Sequence, residues 1–435
     1  MHDKRLITQA VLCAVVLSFG MSGCGSGGGG GNGASVSSVP PPPAPPPPPP
    51  PPSYEVNQNF GLNPRTLYSQ ASGYFLADSV LIGDVTGDKR PDVVLITQGS
   101  GIYIPVEYMN QVMVYPQLQD GTLGSPIKAA YFDQSLYGSG GSTLGDVDGD
   151  GVLEVVVGDE KGIAVAKFNS VTQQLEVKRT PSQRRINAVA AIDINGDGKS
   201  EVIAQGWDDG ATLYKYDASL GFQVIGTLAT PLLGYNAIVA SDMNRDGRAD
   251  LIMTNGQGYA NWWVMLADGK GSFGSAQANP IPRRPSDNAP WSGWGVAAGD
   301  FNHDGRKDVA ATFNSNSPAG IGIYLSQTDG SYSLNAILDS YDTPEPIAVA
   351  DLDGNGLDDI LTVHAGYRTL GYYLQGPSGF MPEKLVGITD MYHPTSHYRP
   401  NGLALGDINS DGCVDVAIAD NQEGLIVLTG SGCKK

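Results

Sequence analysis

The chain has 435 residues, of which 41% are hydrophobic, and its formal net charge is -19. This length allows two or three ordinary domains or one large repeat array, and the apolar content is ample for a buried core. A strongly acidic chain is a poor partner for nucleic acid or anionic lipid surfaces, so neither is expected as a principal partner.

The first predicted element, residues 1–23, is a signal peptide. Lys4 and Arg5 precede the apolar run AVLCAVVLSFG, which is too short to span a bilayer comfortably. The next four residues, MSGC, resemble the lipobox of bacterial lipoproteins, whose cysteine, here Cys24, is lipidated. An ordinary secretory signal with a chance cysteine is the alternative. The resemblance implies a lipid-anchored protein of the cell envelope, and Gly25 favours the outer membrane of a Gram-negative bacterium.

Residues 24–53 form the second predicted segment, a tether. A glycine-rich stretch is followed by residues 40–52, which are all proline except Ala44. The proline run predicts a stiff polyproline II rod of about 40 Å, at roughly 3.1 Å per residue. A proline-rich ligand for a partner protein is the alternative, but the position directly after the anchor favours a tether. The lipid would then be the only contact with the membrane.

An acidic nine-residue motif recurs seven times in residues 54–435 at spacings of 47 to 62 residues. Loops 1 to 7, each with positions 1 to 9, are DVTGDKRPD from Asp84, DVDGDGVLE from Asp146, DINGDGKSE from Asp193, DMNRDGRAD from Asp242, DFNHDGRKD from Asp300, DLDGNGLDD from Asp351 and DINSDGCVD from Asp407. A small apolar run precedes each loop, a β-branched run follows it, and two further short strands complete the unit. This pattern predicts an all-β, seven-bladed β-propeller with four antiparallel strands per blade.

The seventh unit is too short to supply its own fourth strand. Residues 60–69 precede loop 1 by about the distance at which an outer strand precedes loop 2. We therefore expect this N-terminal segment to form the outer strand of the last blade. Such closure removes an open seam of unpaired strand edges.

Two cysteines remain in residues 54–435, Cys413 in loop 7 and Cys433 near the C-terminal end. Disulfides are typical of an oxidising compartment, which the signal sequence predicts. A disulfide between the two would close a loop of about 20 residues and contribute roughly 3 kcal/mol in the chain-entropy model. Two free thiols are the alternative.

The loops have the composition of a calcium site. Oxygen ligands alternate at positions 1, 3 and 5, a carboxylate stands at position 9, and glycine stands at position 6 in six of the seven loops. Glycine permits a sharp turn with positive φ, and hard oxygen donors without cysteine or histidine select Ca²⁺ over Zn²⁺. An EF-hand needs glutamate at position 12, where loops 2 to 4 have Val157, Ala204 and Met253. Solvated turns are the alternative.

The repeat resembles the FG-GAP/VCBS family, whose calcium-loop blades also occur in integrin α-chain propellers. The resemblance implies up to seven calcium ions, held by the side chains at positions 1, 3, 5 and 9 and by the carbonyl at position 7. The implied side-chain ligands are Asp84, Thr86, Asp88, Asp92, Asp146, Asp148, Asp150, Glu154, Asp193, Asn195, Asp197, Glu201, Asp242, Asn244, Asp246, Asp250, Asp300, Asn302, Asp304, Asp308, Asp351, Asp353, Asn355, Asp359, Asp407, Asn409, Asp411 and Asp415.

The loops are not equivalent. Loop 1 departs from the pattern at Thr86, Lys89 and Pro91, and we expect it to bind calcium weakest or not at all. Loop 2 has four carboxylates, so we expect it to bind tightest. These loop positions hold 22 of the 45 acidic residues, which makes the acidity largely metal-ligand charge.

The face opposite the acidic loops is the predicted binding surface. Aromatic rings beside arginine suit sugars or protein partners, although such residues also pack the rim of a ring. The candidates are Trp207, Tyr259, Trp291, Trp294, Arg368, His393, His397, Tyr398 and Arg399. At least one of Trp262 and Trp263 is expected in the core.

The function favoured by these features is that of a monomeric binding or adhesion module for glycan or protein. No nucleophile elbow, glycine-rich phosphate loop or cysteine–histidine framework occurs, so an enzyme is not the favoured hypothesis. A polysaccharide-active lyase or hydrolase remains one alternative, and an envelope scaffold protein is the other.

Overall fold

The computed structural model describes residues 54–68, 77–99, 109–132, 139–182, 185–206, 210–231, 236–255, 261–283, 291–314, 319–364, 368–388 and 401–434. They all lie in one compact unit, Pro52–Lys435. Within these ranges the regular structure is β-strand, and there is no helix with the length and apolar character needed to cross a membrane.

The strands of this unit are short and follow one another at close intervals. In chain order they are β1 (Gly61–Leu62), β2 (Thr66–Leu67), β3 (Ala77–Gly83), β4 (Asp92–Thr97), β5 (Gln111–Tyr115), β6 (Ile127–Ala130), β7 (Ser139–Gly145), β8 (Glu154–Asp159), β9 (Gly162–Asn169), β10 (Gln174–Pro181), β11 (Ile186–Ile192), β12 (Glu201–Gly206), β13 (Ala211–Asp217), β14 (Gly221–Leu228), β15 (Asn236–Ser241), β16 (Asp250–Asn255), β17 (Asn261–Met265), β18 (Gln277–Pro280), β19 (Ser292–Gly299), β20 (Asp308–Asn314), β21 (Ala319–Ser326), β22 (Tyr332–Ser340), β23 (Pro344–Ala350), β24 (Asp359–His364), β25 (Thr369–Tyr373), β26 (Gln375–Gly376), β27 (Gly379–Phe380), β28 (Lys384–Gly387), β29 (Leu403–Gly406), β30 (Asp415–Asp420), β31 (Gly424–Leu428) and β32 (Gly430–Ser431).

Seven antiparallel four-stranded sheets form the blades of a propeller, as the sequence predicts. Blades 1 to 7 have the orders β3-β4-β5-β6, β7-β8-β9-β10, β11-β12-β13-β14, β15-β16-β17-β18, β19-β20-β21-β22, β23-β24-β25-β28 and β29-β30-β31-β2. The first strand of each blade contacts the first strands of both neighbouring blades, and the contact between β29 and β3 closes the ring.

The N-terminal segment completes blade 7, which confirms the predicted closure. Strand β2 pairs with β31 through Thr66↔Val427 and Leu67↔Ile426, and β1 pairs with β32. The structure also joins Cys413 to Cys433 by a disulfide, the pair named from the sequence. Both ends of the propeller chain are therefore held in the same blade.

The core lies between adjacent blades, and this placement explains the β-branched second strands. Every residue of β8 is buried. Val155 and Val157 pack with residues of blade 1, whereas Val156 packs with residues of blade 3. Because alternate side chains of a strand point to opposite faces of the sheet, both faces of this strand must be apolar.

Candidate metal-binding loops

Each acidic loop joins the first strand of a blade to the second, so the seven loops form one face of the ring, the acidic-loop face. In blade 2, for example, β7 ends at Gly145 and β8 begins at Glu154, which is position 9. Position 6 has positive φ in every loop, including Lys89 at 71° in loop 1. Position 4 also has positive φ in every loop, although three of these residues, Arg245, His303 and Ser410, are not glycine. Sequence inspection missed position 4 for that reason.

In each loop, the backbone wraps around the carboxylate of the aspartate at position 1. In loop 2, Asp146 Oδ1 accepts hydrogen bonds from the backbone N–H groups of Gly149 (2.6 Å) and Asp150 (3.2 Å). Its Oδ2 accepts one from Gly151, over 2.9 Å. The bond from the position 6 N–H to position 1 recurs in all seven loops. This carboxylate therefore shapes the loop before any ion binds.

In five of the seven loops, an aspartate at position 9 links the loop to the end of the third strand of its blade. Asp250 Oδ2 accepts a hydrogen bond from Met243 N at position 2 (2.9 Å), and its Oδ1 accepts one from Ala267 N just after the third strand (2.7 Å). The same two-sided arrangement occurs at Asp92, Asp308, Asp359 and Asp415. These aspartates are completely buried. Their loss would leave backbone N–H groups of two segments without partners.

Burial raises the pKa of these position 9 carboxyl groups. The pKa rises to about 6 for Asp308 and Asp415 and to about 8 for Asp359. Desolvation is the largest cause in each case, and repulsion by Asp353 and Asp351 adds to it at Asp359. A buried, repelled carboxylate is the group that a nearby cation would stabilise most.

Loop 6 fits a calcium ion best. Oxygen atoms of Asp351, Asp353 and Asp359 all lie within 4.8 Å of one another, and Asp353 and Asp359 are fully buried. Asn355, at position 5, lies in the same loop and is also buried. Hard oxygen donors held this close match the ligand preference of Ca²⁺. These side chains would hold the ion, and the ion would offset their mutual repulsion.

Loop 2 contains a second close group, Asp146, Asp148 and Glu154, but a protein cation already lies within this loop. The ammonium of Lys167, on β9, contacts Asp148 Oδ2 and lies 2.6 Å from Asp150 Oδ2 and 3.1 Å from Glu154 Oε1. Burial alone would lower the pKa of Lys167, but these carboxylates raise it above its ordinary value. The ammonium thus contacts three of the four carboxylates of loop 2, and the expected tightest calcium binding at this loop stays a prediction.

Loops 1, 4 and 5 have an arginine at position 7 that contacts the carboxylate at position 5. The pairs are Arg90 with Asp88, Arg248 with Asp246 and Arg306 with Asp304. The expected weakness of loop 1 stays a prediction.

The opposite face is only partly described. Trp291 is 4% exposed and stacks on Phe313, with ring centroids 5.3 Å apart, so it belongs to the core and not to an open binding surface. Trp262 and Trp263 are also buried. Trp294 is half-buried, and Arg368 is exposed between β24 and β25. Outside the described residues lie Cys24, Trp207, Tyr259, His393, His397, Tyr398 and Arg399.

A buried polar cluster that the sequence did not reveal lies in blade 6, at the end of the blade opposite its acidic loop. His364, the last residue of β24, is fully buried, and its Nε2 lies 2.9 Å from Glu383 Oε1. Glu383 Oε2 accepts a hydrogen bond from Tyr341 N, and His364 Nδ1 lies 2.5 Å from the Asp342 carbonyl. Within the described part of this cluster, both histidine nitrogens therefore have hydrogen-bonding partners.

Comparison with known proteins supports the repeat assignment. The family model described as FG-GAP-like repeat matches residues 84–157, 146–204, 193–253 and 242–311. Each match begins at position 1 of one acidic loop and ends in the second strand of the next blade. Together the matches span residues 84–311, more than half of the chain. No curated protein matches the sequence.

Solved structures share the fold at low sequence identity. An Agrocybe aegerita lectin that recognises non-reducing terminal N-acetylglucosamine is 18% identical over 75% of this chain and 84% of its own, with a TM-score of 0.50. BBS1N, in a complex with ARL6DN, is 8% identical over 86% of this chain and 97% of its own, with a TM-score of 0.51. A periplasmic gluconolactonase of Pseudomonas aeruginosa is 15% identical over 71% and 96%, and its TM-score of 0.46 is too low to support an argument.

Proposed function

The chain belongs to the FG-GAP-like repeat family, and from this premise we propose that it is a calcium-stabilised binding module of the cell envelope. Its ligand is a glycan or a protein, which binds to the face opposite the acidic loops. The main support is a difference between the two ends of the blades: the acidic loops at one end are hydrogen-bonded into the fold. The acidic loops are bound into the fold at positions 1 and 9, which leaves the other end available for recognition.

In this proposal, the acidic residues stabilise the loops and bind calcium. Most loop carboxylates accept hydrogen bonds from their own loop or from the third strand of their blade. Calcium bound at such loops would neutralise charge within the fold and stabilise it by mass action. The negative charge is then a property of the metal sites and not a signal about the partner.

The start of the described chain is held by two acidic loops. The hydroxyl of Tyr54 lies 2.6 Å from His303 Nε2 in loop 5, and its carbonyl accepts a hydrogen bond from Asn355 in loop 6. The propeller chain therefore begins at the acidic-loop face.

Glycan binding is compatible with the fold, because a lectin with the same fold recognises a terminal sugar. The likeness is one of architecture and does not transfer that sugar to this chain. The exposed Arg368 is the described candidate on the opposite face, since a guanidinium group can bind carboxylate or sulfate groups of acidic glycans.

A glycan array and an affinity capture from envelope extracts, both with calcium present, test the proposal. We expect a saturable ligand whose binding weakens in Arg368→Ala and is retained in Lys270→Ala, a control in an exposed turn. Turnover of a polysaccharide would instead favour the enzyme alternative. Capture of envelope proteins that is insensitive to Arg368 would favour the scaffold.

Localisation requires its own test, because the anchor is a proposal from the sequence. We expect the full chain to fractionate with the outer membrane and to incorporate a labelled fatty acid. Cys24→Ser should abolish both results, whereas Cys13→Ser, within the signal peptide, should leave them unchanged. Release of the wild-type chain without lipid would contradict the anchor.

A further inference from the structure

We propose that Lys167 of β9 and Lys215 of β13 are built-in cations that take the place of a metal ion in loops 2 and 3. Blades 2 and 3 would then keep their acidic loops folded without calcium. The inference concerns individual blades and does not depend on which ligand the opposite face binds.

The strongest observation is the position of the Lys167 ammonium. It contacts carboxylates at positions 3, 5 and 9 of loop 2, namely Asp148, Asp150 and Glu154. These are three of the four side chains that a calcium ion in this loop would require. Glu154 is 1% exposed, so the charge pair at its Oε1 is shielded from water on the carboxylate side. Calcium could enter only if the ammonium left.

Loop 3 has a lysine at the equivalent place, which contacts one loop carboxylate. Lys215 Nζ lies 2.9 Å from Asp197 Oδ2 at position 5. Glu201 at position 9 is 1% exposed, and its Oε1 accepts a hydrogen bond from the Asn195 amide at position 3, over 2.8 Å. A lysine and an amide hydrogen thus interact with the carboxylates that face the metal position.

Strand register shows that the two lysines occupy equivalent places. The pairs Val155↔Ala166 and Val202↔Tyr214, extended by one position, put Lys167 opposite Glu154 and Lys215 opposite Glu201. In the other five blades the residue opposite position 9 is uncharged. These residues are Pro116, Leu266, Leu325, Leu374 and Thr429.

The residue type at position 9 correlates, from blade to blade, with the residue opposite it on the third strand. Position 9 is glutamate in the two blades that have the lysine and aspartate in the five that do not. Each aspartate accepts a hydrogen bond from a backbone N–H just after the third strand or at its end, as Asp308 does from Ser326 (2.8 Å). Among the described residues, no such bond reaches Glu154 or Glu201. In blade 2 the longer side chain instead places Glu154 Oε1 3.1 Å from the Lys167 ammonium.

A tethered ammonium has a clear physical advantage over a free ion. It is present at every calcium concentration, because the chain delivers it, whereas extracellular calcium modules often bind with Kd values of about 10⁻⁴ to 10⁻³ M. A single positive charge neutralises less than a divalent ion does. In the ring, blades 2 and 3 would therefore be independent of metal, and the other blades would respond to calcium.

Unfolding of the full chain with and without calcium tests this division. Lys167→Gln should lower the melting midpoint by several degrees in excess chelator, because the carboxylates of loop 2 lose their cation. In saturating calcium the loss should shrink, because an ion can now enter the loop. Lys270→Gln, which removes an exposed lysine outside the loops, should change neither midpoint. An equal loss in both conditions would overturn the proposal, since an ordinary ion pair behaves in that way.

Metal stoichiometry supplies an independent readout. Equilibrium dialysis with metal analysis should find about one more bound calcium in Lys167→Gln than in the wild type. The double variant Glu154→Asp with Lys167→Leu, which gives blade 2 the pattern of blades 4 to 6, should show the same gain and covers a folding failure of the first variant. An unchanged stoichiometry in both variants would overturn the inference. A wild type that binds no calcium would instead contradict the calcium part of the proposed function.

Discussion

The backbone N–H of Asn57 donates a hydrogen bond to Oδ2 of Asp353 over 2.6 Å, although the two residues are 296 positions apart. The Asn57 amide also donates to the Asp353 carbonyl (3.0 Å) and to the Gly432 carbonyl (2.7 Å). One buried side chain thus links the start of the propeller, loop 6 of blade 6 and the C-terminal end. This relationship holds the ring closed beside the loop that best fits calcium.

Asn57→Ala should lower the free energy of unfolding by about 1–3 kcal/mol, because the two carbonyls lose donors that water cannot readily replace. Chemical unfolding followed by tryptophan fluorescence measures this loss. Asn63→Ala is the matched control, since the Asn63 amide bonds the Thr429 hydroxyl at an exposed site. A loss no larger than that of the control would contradict the role in closure.

Removal of calcium should lower the melting midpoint of the full chain. At 10 mM free calcium and a Kd of about 10⁻³ M, each occupied site would contribute about 1.4 kcal/mol by mass action. Thermal melts in calcium and in excess chelator measure the effect, and magnesium serves as the control ion. An unchanged midpoint together with a metal analysis that finds no calcium would contradict the metal sites.

Stability of the chelated protein should depend on pH through Asp359. Its pKa is raised from an ordinary value of 3.8 to about 8, mainly by burial. Between these values the folded state keeps a proton that the unfolded state has released, so stability falls as pH rises from about 4 to 8. The slope is at most about 1.4 kcal/mol per pH unit for this group, and it levels off above pH 8.

Asp359→Asn provides the control for this pH effect, because the amide has a similar shape and does not titrate. Asp308 and Asp415, whose pKa values rise to about 6, should each contribute a similar slope over a shorter pH range that ends near pH 6, and therefore a smaller total change. Urea unfolding of chelated samples between pH 5 and 9 measures all three. A stability that rises over this range in the wild type would contradict the assignment.

Trp291→Ala should destabilise the fold by about 3–5 kcal/mol, because the ring is buried and stacked on Phe313. Loss of ligand binding in this variant would therefore report unfolding and not a lost contact. Calorimetry of the variant beside Arg368→Ala separates the two effects, since replacement of the exposed arginine should lower the midpoint far less than loss of the buried ring. A normal midpoint in Trp291→Ala would contradict the core assignment.

The sequence by itself determined the blades, because each depends on a local pattern. The acidic motif occupies nine consecutive residues, and the strands around it alternate at short range, so no distant contact is needed to detect them. The glycines at position 6 of six loops likewise predicted positive φ from residue type alone, and the structure has positive φ at that position in all seven loops. Ring closure by residues 60–69 followed from counting strands.

Only the tertiary structure decided what lies beside each loop. Lys167 reaches Asp150 across 17 positions of chain because the register of β8 and β9 places it there, and no local pattern marks that lysine as different from other surface lysines. Trp291 was expected on a binding face but packs on Phe313, because the pairing of β19 with β20 brings the two rings together in one buried cluster. Asn57 meets Asp353 only when the ring closes. Contacts of this kind depend on strand register and chain closure, which short-range composition does not encode.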